Sequence, residues 1–185
     1  MFGLFSKKRK ISAKELGLGL FMFHKRMSDF FIKNYKDYKE KLGVELFSRS
    51  FDYENIDRYE LEIANLWIIS KTLKNETKAL EWMTEFYLMN IKNLSKNKYS
   101  EVEVDDFIEI VKKDIHERYA EYNKSWNDDM GTYQKLFNLK MLSFLLNGGV
   151  VNDNLFNSLI DNYVKIYIDG QIKGILNYRN NFEIT

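Results

Sequence analysis

Carboxylate pairs at helical spacing are the residues of this chain best suited to chemistry. Glu81 and Glu85 are four residues apart, and Glu103 and Asp106 are three apart, so each pair would share one face of a helix. Two such pairs facing each other would offer oxygen ligands to Mg²⁺ or Mn²⁺, as in a metal-dependent phosphohydrolase of the all-α type. The simpler interpretation is a solvated face, because acids in a first turn complement the helix dipole. We keep the metal site as the alternative hypothesis.

Other reactive residue types are scarce or badly placed. Neither His24 nor His116 has a carboxylate three or four residues away, so we expect both to be surface or edge histidines. The absence of cysteine excludes disulfides, thiolate zinc sites and a cysteine nucleophile. The glycines at 17 and 19 lack the third glycine of a phosphate loop and lie within a helical pattern. The sequence predicts no catalytic residue and no cofactor.

The beginning of the chain is basic. Four consecutive cations, Lys7, Lys8, Arg9 and Lys10, follow a short apolar stretch, and the first 14 residues contain no acid. We interpret residues 1–11 as a flexible basic arm that would make at most weak contact with a membrane surface or nucleic acid, or serve as a solubilising tail. The net charge of the whole chain is only +1, and no helix carries a basic face, so sequence-specific nucleic-acid binding is not expected.

The elements that would position these residues are helices. The chain contains no proline, and apolar residues recur at three- and four-residue steps. Residues 12–185 are therefore predicted to form one domain of about six helices with short connections. The predicted segments begin at the Ser12–Glu15 capping pair, at the Asp57–Glu60 pair, at Thr77, at the Ser100–Glu103 pair, near residue 133, and at Asn152 or Asp153. Residues 57–94 are read as two helices rather than one kinked helix.

The last segment has two interpretations. Asp169-Gly170 suits the turn of a β-hairpin, with alternating apolar residues on either side. The helical stripe, however, continues from Phe156 through Tyr167 without a breaker, so we favour a helix. In that helix Gly170 and Gly174 would lie one turn apart and allow a close helix crossing.

The composition indicates a folded all-α protein with an aromatic-rich core. Hydrophobic residues make up 45% of the chain and aromatic residues 16%. The apolar stripe of the first helix is wide enough to suggest that a partner covers part of it. The sequence thus favours a non-enzymatic cytoplasmic protein that binds another protein or itself as a homodimer. The alternatives are the phosphohydrolase and a membrane-peripheral protein held by its N-terminal arm.

Overall fold

The architecture is a helical bundle with a minimal sheet. The computed structural model describes residues 8–42, 58–126 and 154–185, with the side chains of 35–42 and 154–163 left out. In chain order the described elements are β1 (Arg9–Ile11), α1 (Ala13–Leu42), α2 (Arg58–Thr72), α3 (Thr77–Ser95), α4 (Glu101–Ser125), α5 (Asn154–Asn180) and β2 (Phe182–Ile184). The two strands pair in parallel. The predicted all-α class is confirmed, and the helix predicted from residue 133 lies outside the described residues.

Local capping signals place the starts of α1 and α4. The Glu103 carboxylate accepts a hydrogen bond from the Ser100 amide at 2.8 Å, and the Ser100 hydroxyl is within 3.4 Å of the Glu103 amide, which completes a capping box. Ser12 and Glu15 make the same contacts at the start of α1, at 2.8 Å and 3.2 Å. Glu60 was expected to cap α2, but its carboxylate binds Arg118 of α4 instead.

The two ambiguous regions are resolved as helices. A turn at residues 73–75 separates α2 from α3, so the prediction of two helices is confirmed. α5 runs without interruption through residues 164–175, and the hairpin alternative is wrong. The physical reason is that Val164, Tyr167, Ile168 and Ile175 are all buried at helical spacing, which an alternating strand would not bury together.

α2 lies at the centre of the bundle. It packs against α1, α4 and α5, and most of its residues from Glu60 to Ile69 are buried. A helix covered on nearly all sides needs apolar residues all round rather than on one stripe. The sequence of α2 meets this need, since Leu61, Ile63, Leu66 and Ile69 point in several directions around the helix axis.

Glycines allow α1 to approach its neighbours closely. A Cβ atom at Gly17 would lie 2.5 Å from the Cβ of Trp82 and 2.7 Å from the carbonyl oxygen of Ala79, so α1 and α3 pack almost backbone to backbone. At Gly174 of α5 the ring of Phe23 lies 3.1 Å from the Cβ position. Gly170 has no atom within 4 Å of its Cβ position. Of the two glycines of α5 expected to allow a close helix contact, only Gly174 therefore has a neighbour near it.

The wide apolar stripe of α1 is largely used in the protein's own core. Leu16, Leu20, Phe21, Met27 and Phe31 are buried against α2, α3 and α5. The stripe therefore gives less support for a partner than its width suggested. None of the helices in the described segments is both long enough and apolar enough to cross a bilayer.

Candidate functional site

The four carboxylates of the metal hypothesis are not gathered into a ligand set. Glu81 and Glu85 are exposed on α3, while Glu103 and Asp106 are exposed on α4. The oxygens of Glu103 are engaged by the Ser100 hydroxyl and amide, which lower the pKa of this carboxyl. Within residues 8–42, 58–126 and 154–185, no group of three or more His, Asp or Glu side chains is arranged to hold a metal ion.

The basic cluster lies partly in a strand. Lys8, Arg9 and Lys10 are exposed, and Lys7 lies outside the described residues. Arg9 and Lys10 belong to strand β1, although the sequence had suggested a flexible arm. In the parallel register Lys10 stands opposite Glu183 of β2. This register places an acid opposite one of the cations.

The two histidines have opposite environments. His116 is exposed on α4, as expected. His24 is completely buried, and its Nε2 atom lies 2.9 Å from the carbonyl oxygen of Glu62, so the prediction of a surface or edge position is wrong for this residue. His24 lies on the buried side of α1, since Leu20, Phe21 and Met27, one turn away on the same helix, are buried as well, and Glu62 of α2 and Tyr87 of α3 cover it.

A buried polar cluster surrounds His24. We define it as His24, Ser28, Asn65, Tyr87 and Tyr167, which come from four helices. The Asn65 amide donates to the Ser28 hydroxyl at 2.9 Å, and the Tyr167 hydroxyl donates to the Asn65 carbonyl oxygen at 2.8 Å. The rings of His24 and Tyr87 meet edge to face, with centroids 5.3 Å apart. The hydrogen bonds connect α1, α2 and α5 at defined distances, and the contact between the His24 and Tyr87 rings connects α1 to α3.

The polar cluster is neutral at neutral pH. Burial lowers the pKa of His24 to about 4, because desolvation disfavours the imidazolium ion. The positive charges of Lys25 and Arg58 lower this pKa further, whereas the hydrogen bond to the Glu62 carbonyl raises it. Since a carbonyl only accepts, Nε2 carries the proton and Nδ1 is a bare acceptor, with no hydrogen-bond partner among the described residues. Burial also raises the pKa of Tyr87. With no solvent access at His24, the cluster is suited to holding helices together rather than to acid–base catalysis.

A partly buried ion pair fastens α2 to α4. The guanidinium of Arg118 makes contacts of 2.8 Å and 2.7 Å with the two carboxylate oxygens of Glu60, whose side chain is only 9% exposed. Close by, the Tyr59 hydroxyl donates to Asp114 at 2.9 Å. Bidentate geometry of this kind fixes orientation as well as distance.

A concave site lies between α2 and α5. We call it the α2–α5 cleft; its volume is about 240 Å³, and its apolar walls are Trp67, Ile68, Trp126, Ile168, Ile172 and Leu176. The indole N–H of Trp67 donates to the Asn123 side-chain oxygen at 3.2 Å, and the rings of Trp67 and Trp126 meet at 5.4 Å. The wall is thus held in place before any ligand arrives.

An apolar surface extends from the α3–α4 turn along α4. We call it the α4 face and define it by Tyr99, Phe107 and Ile110. Tyr99 and Ile110 are 53% and 55% exposed, and the rings of Tyr99 and Phe107 lie 6.4 Å apart. Phe107 and Ile110 are three residues apart, so they share one side of the helix. This face was not predicted from the sequence. The one indication of it was Ile110, an apolar residue outside the buried stripe of the helix.

Comparison of the chain with protein-family models, curated proteins and solved structures found no match. The functional argument therefore depends on the chemistry of its own surfaces. Among the described residues, the features outside the core that are suited to binding include the α4 face, which exposes apolar side chains, and the α2–α5 cleft, which is concave.

Proposed function

We propose that this protein is non-enzymatic and acts in the cytoplasm by binding another protein, or a second copy of itself, through the α4 face. The observation that carries the proposal is the exposure of Tyr99, Phe107 and Ile110 side by side. Large apolar side chains that are contiguous and exposed are typical of protein interaction sites. The chain contains no cysteine, so its fold does not depend on an oxidising compartment.

The border of the α4 face indicates the chemistry of the partner. Glu103 precedes Phe107 by four residues and Asp106 precedes Ile110 by four, whereas the exposed Lys113 follows Ile110 by three. A partner surface with apolar residues bordered by charges of both signs would complement this face. Rim charges of this kind mainly accelerate association and fix the register.

Site-directed photocrosslinking tests the position of the contact. A benzophenone amino acid at residue 110, expressed in the native host, is expected to give a crosslinked product with a defined protein. The matched control is residue 166, because Ile166 is 71% exposed on α5 and far from the α4 face in sequence. Equal crosslinking from both positions would contradict the proposal.

The affinity of the identified partner then measures the energy of the contact. Ile110→Asp is expected to weaken binding by tenfold or more, which corresponds to about 1.4 kcal/mol. Ile166→Asp should leave the affinity unchanged. Light scattering during size exclusion tests for self-association. If the wild type is a dimer and the Ile110→Asp variant is a monomer, the partner is a second copy of the chain. An unchanged affinity and an unchanged mass in Ile110→Asp would refute this use of the α4 face.

A further inference from the structure

A strip of apolar side chains is exposed where α1 and α3 pack side by side. We call it the α1–α3 seam and define it by Leu18 of α1 and by Trp82, Phe86 and Met89 of α3. Leu18, Trp82 and Met89 are 45%, 38% and 54% exposed, and Phe86 is half-buried. The three residues of α3 follow one another at steps of four and three, so they share one side of that helix. Gly17, which lies against Trp82, brings the two helices together at this point.

The aromatic rings of the seam are held in place by packing. The rings of Trp82 and Phe86 lie 6.0 Å apart, and the ring of Phe86 lies 6.4 Å from that of Phe21 on α1. Phe21 is only 8% exposed, so this row of rings runs from the surface into the core. The apolar surface is therefore formed before a partner arrives.

Two lysines of α1 lie over these rings. The ammonium of Lys14 is 4.6 Å from the centre of the Trp82 ring, and that of Lys25 is 5.8 Å from the centre of the Phe21 ring. Neither ammonium makes an ion pair with a carboxylate in the described part of the chain. Lys78, one turn before Trp82 on α3, is exposed as well. The seam thus combines apolar surface with positive charge.

Acids also border the seam, but each has a positive or hydrogen-bonding partner away from the rings. Glu15 is bound within the capping box at the start of α1. Asp29 pairs with Arg58 at 2.7 Å. On α3, Glu85 lies within electrostatic reach of Lys112 of α4. The positive charge over the rings is therefore partly offset at the edges, and its attraction for an anionic surface is modest and sensitive to salt.

The residue types at the seam favour a lipid bilayer over a protein surface. Protein interfaces are depleted in lysine, whereas tryptophan and lysine are both favoured where a membrane meets water. The indole N–H of Trp82 has no hydrogen-bond partner among the described residues, in contrast to that of Trp67, which donates to Asn123. At a bilayer surface this N–H can donate to a lipid oxygen while the ring lies in apolar surroundings.

From these observations we propose that the α1–α3 seam attaches the protein to the surface of a bilayer that contains anionic lipids. Leu18, Trp82 and Met89 enter the boundary between headgroups and acyl chains, and Lys14 and Lys25 lie against the negative headgroups. The attachment is peripheral and reversible, because few apolar side chains take part. The proposal is independent of the α4 face, which consists of other residues.

Vesicle binding by the full chain tests the chemistry of the lipid. The protein is expected to co-sediment with vesicles of phosphatidylcholine that contain about 30% phosphatidylserine, and not with vesicles of phosphatidylcholine alone. Binding should weaken as salt is added, since screening shortens the reach of the lysine charges. No binding to either vesicle, or equal binding to both, would overturn the proposal.

Fluorescence quenching tests the position of the contact. Lipids brominated on their acyl chains quench an indole that enters the bilayer, so vesicles with phosphatidylserine and brominated phosphatidylcholine should quench the wild type. Trp82→Phe should remove this quenching while keeping most of the binding, because phenylalanine retains an apolar ring and Trp67 and Trp126 remain as reporters. Quenching that persists in Trp82→Phe would show that another part of the protein enters the bilayer.

Charge variants test the role of the two lysines. The double variant Lys14→Gln, Lys25→Gln should weaken vesicle binding by at least about tenfold, since each lysine near an anionic surface contributes roughly fivefold. Lys165→Gln, Lys173→Gln is the matched control, because it removes two exposed cations of α5 and should bind nearly as wild type does. Equal losses in the two double variants would mean that the attraction belongs to the whole protein rather than to the seam.

An apolar variant and an N-terminal variant complete the test. Leu18→Glu should weaken binding by about tenfold or more, whereas Ile166→Glu, at a position 71% exposed on α5, should not. Both positions are exposed, so circular dichroism should show unchanged folding. Lys8→Gln, Lys10→Gln probes the basic start of the chain. If that variant abolishes binding and Leu18→Glu does not, the contact lies at the N-terminus and the proposal is refuted.

Discussion

The two halves of α2 are built differently. Its first half carries Glu60 and Asn65, whose polar groups are bound by Arg118 and Tyr167 at 2.7–2.8 Å. Its second half, from Trp67 to Thr72, lines a cleft of about 240 Å³. A buried polar group requires a partner at a set distance and angle, whereas apolar contact has no direction and tolerates a gap. The first half is therefore suited to fixing the bundle, and the second half leaves room for a ligand.

The largest expected effect comes from breaking the ion pair in the first half of α2. Arg118→Met leaves the Glu60 carboxylate buried without its charge partner and should lower the free energy of unfolding by about 3–5 kcal/mol. Arg58→Met is the control, because the side chain of Arg58 is 52% exposed, so its two ion pairs, with Asp29 and Glu62, should each contribute less than about 1 kcal/mol. Urea denaturation measures both.

The double variant Glu60→Met, Arg118→Met sharpens this test. Removing Glu60 together with Arg118 leaves neither member of this pair behind, so part of the lost stability should return. If Arg118→Met destabilises no more than Arg58→Met, the first half of α2 is not fixed by this pair and the comparison fails.

The second effect is a pH dependence caused by His24. The folded pKa of about 4 lies below the ordinary value of 6.5, so between these values the unfolded chain binds a proton that the folded chain does not. The stabilisation is complete above pH 6.5 and is lost as the pH falls towards 4. The shift corresponds to about 3 kcal/mol.

Two variants isolate this contribution. His24→Gln replaces the imidazole by a group that does not titrate and can still donate to the Glu62 carbonyl, so the slope of stability between pH 6.5 and 4 should become flatter. His116→Gln, at an exposed position, should keep the wild-type slope. Parallel slopes in wild type and His24→Gln would show that His24 is not buried as described.

These residues also show what the sequence can predict. The Ser12–Glu15 and Ser100–Glu103 caps were predictable because both partners lie within one helical turn. The burial of His24 was indicated by Leu20, Phe21 and Met27 one turn away, but its hydrogen-bond partner was not predictable, since that partner is the backbone of Glu62 on another helix. The α2–α5 cleft depends on where α4 and α5 end relative to α2, which is a property of packing rather than of any one segment.

A third, smaller effect compares two glycines. Gly17→Ala places a Cβ atom 2.5 Å from the Cβ of Trp82 and 2.7 Å from a backbone oxygen, neither of which can rotate away, so it should cost about 1–3 kcal/mol. Gly170→Ala meets no atom within 4 Å and should instead stabilise α5 by up to about 1 kcal/mol, as alanine does in a helix interior. Thermal unfolding of the two variants should shift in opposite directions. A tolerated Gly17→Ala would mean that α1 and α3 are not in close contact.

The smallest expected effect is the one that tests the open half of α2 directly. Ile172→Phe adds volume to the wall of the α2–α5 cleft, and because no side chain of the described residues fills the space beside it, the variant should be as stable as wild type or about 1 kcal/mol more stable. Enlarging Ala64, fully buried on α2 among closely packed neighbours, to Val should destabilise by about 1–3 kcal/mol. Equal destabilisation by both would mean that the cleft is as tightly packed as the core.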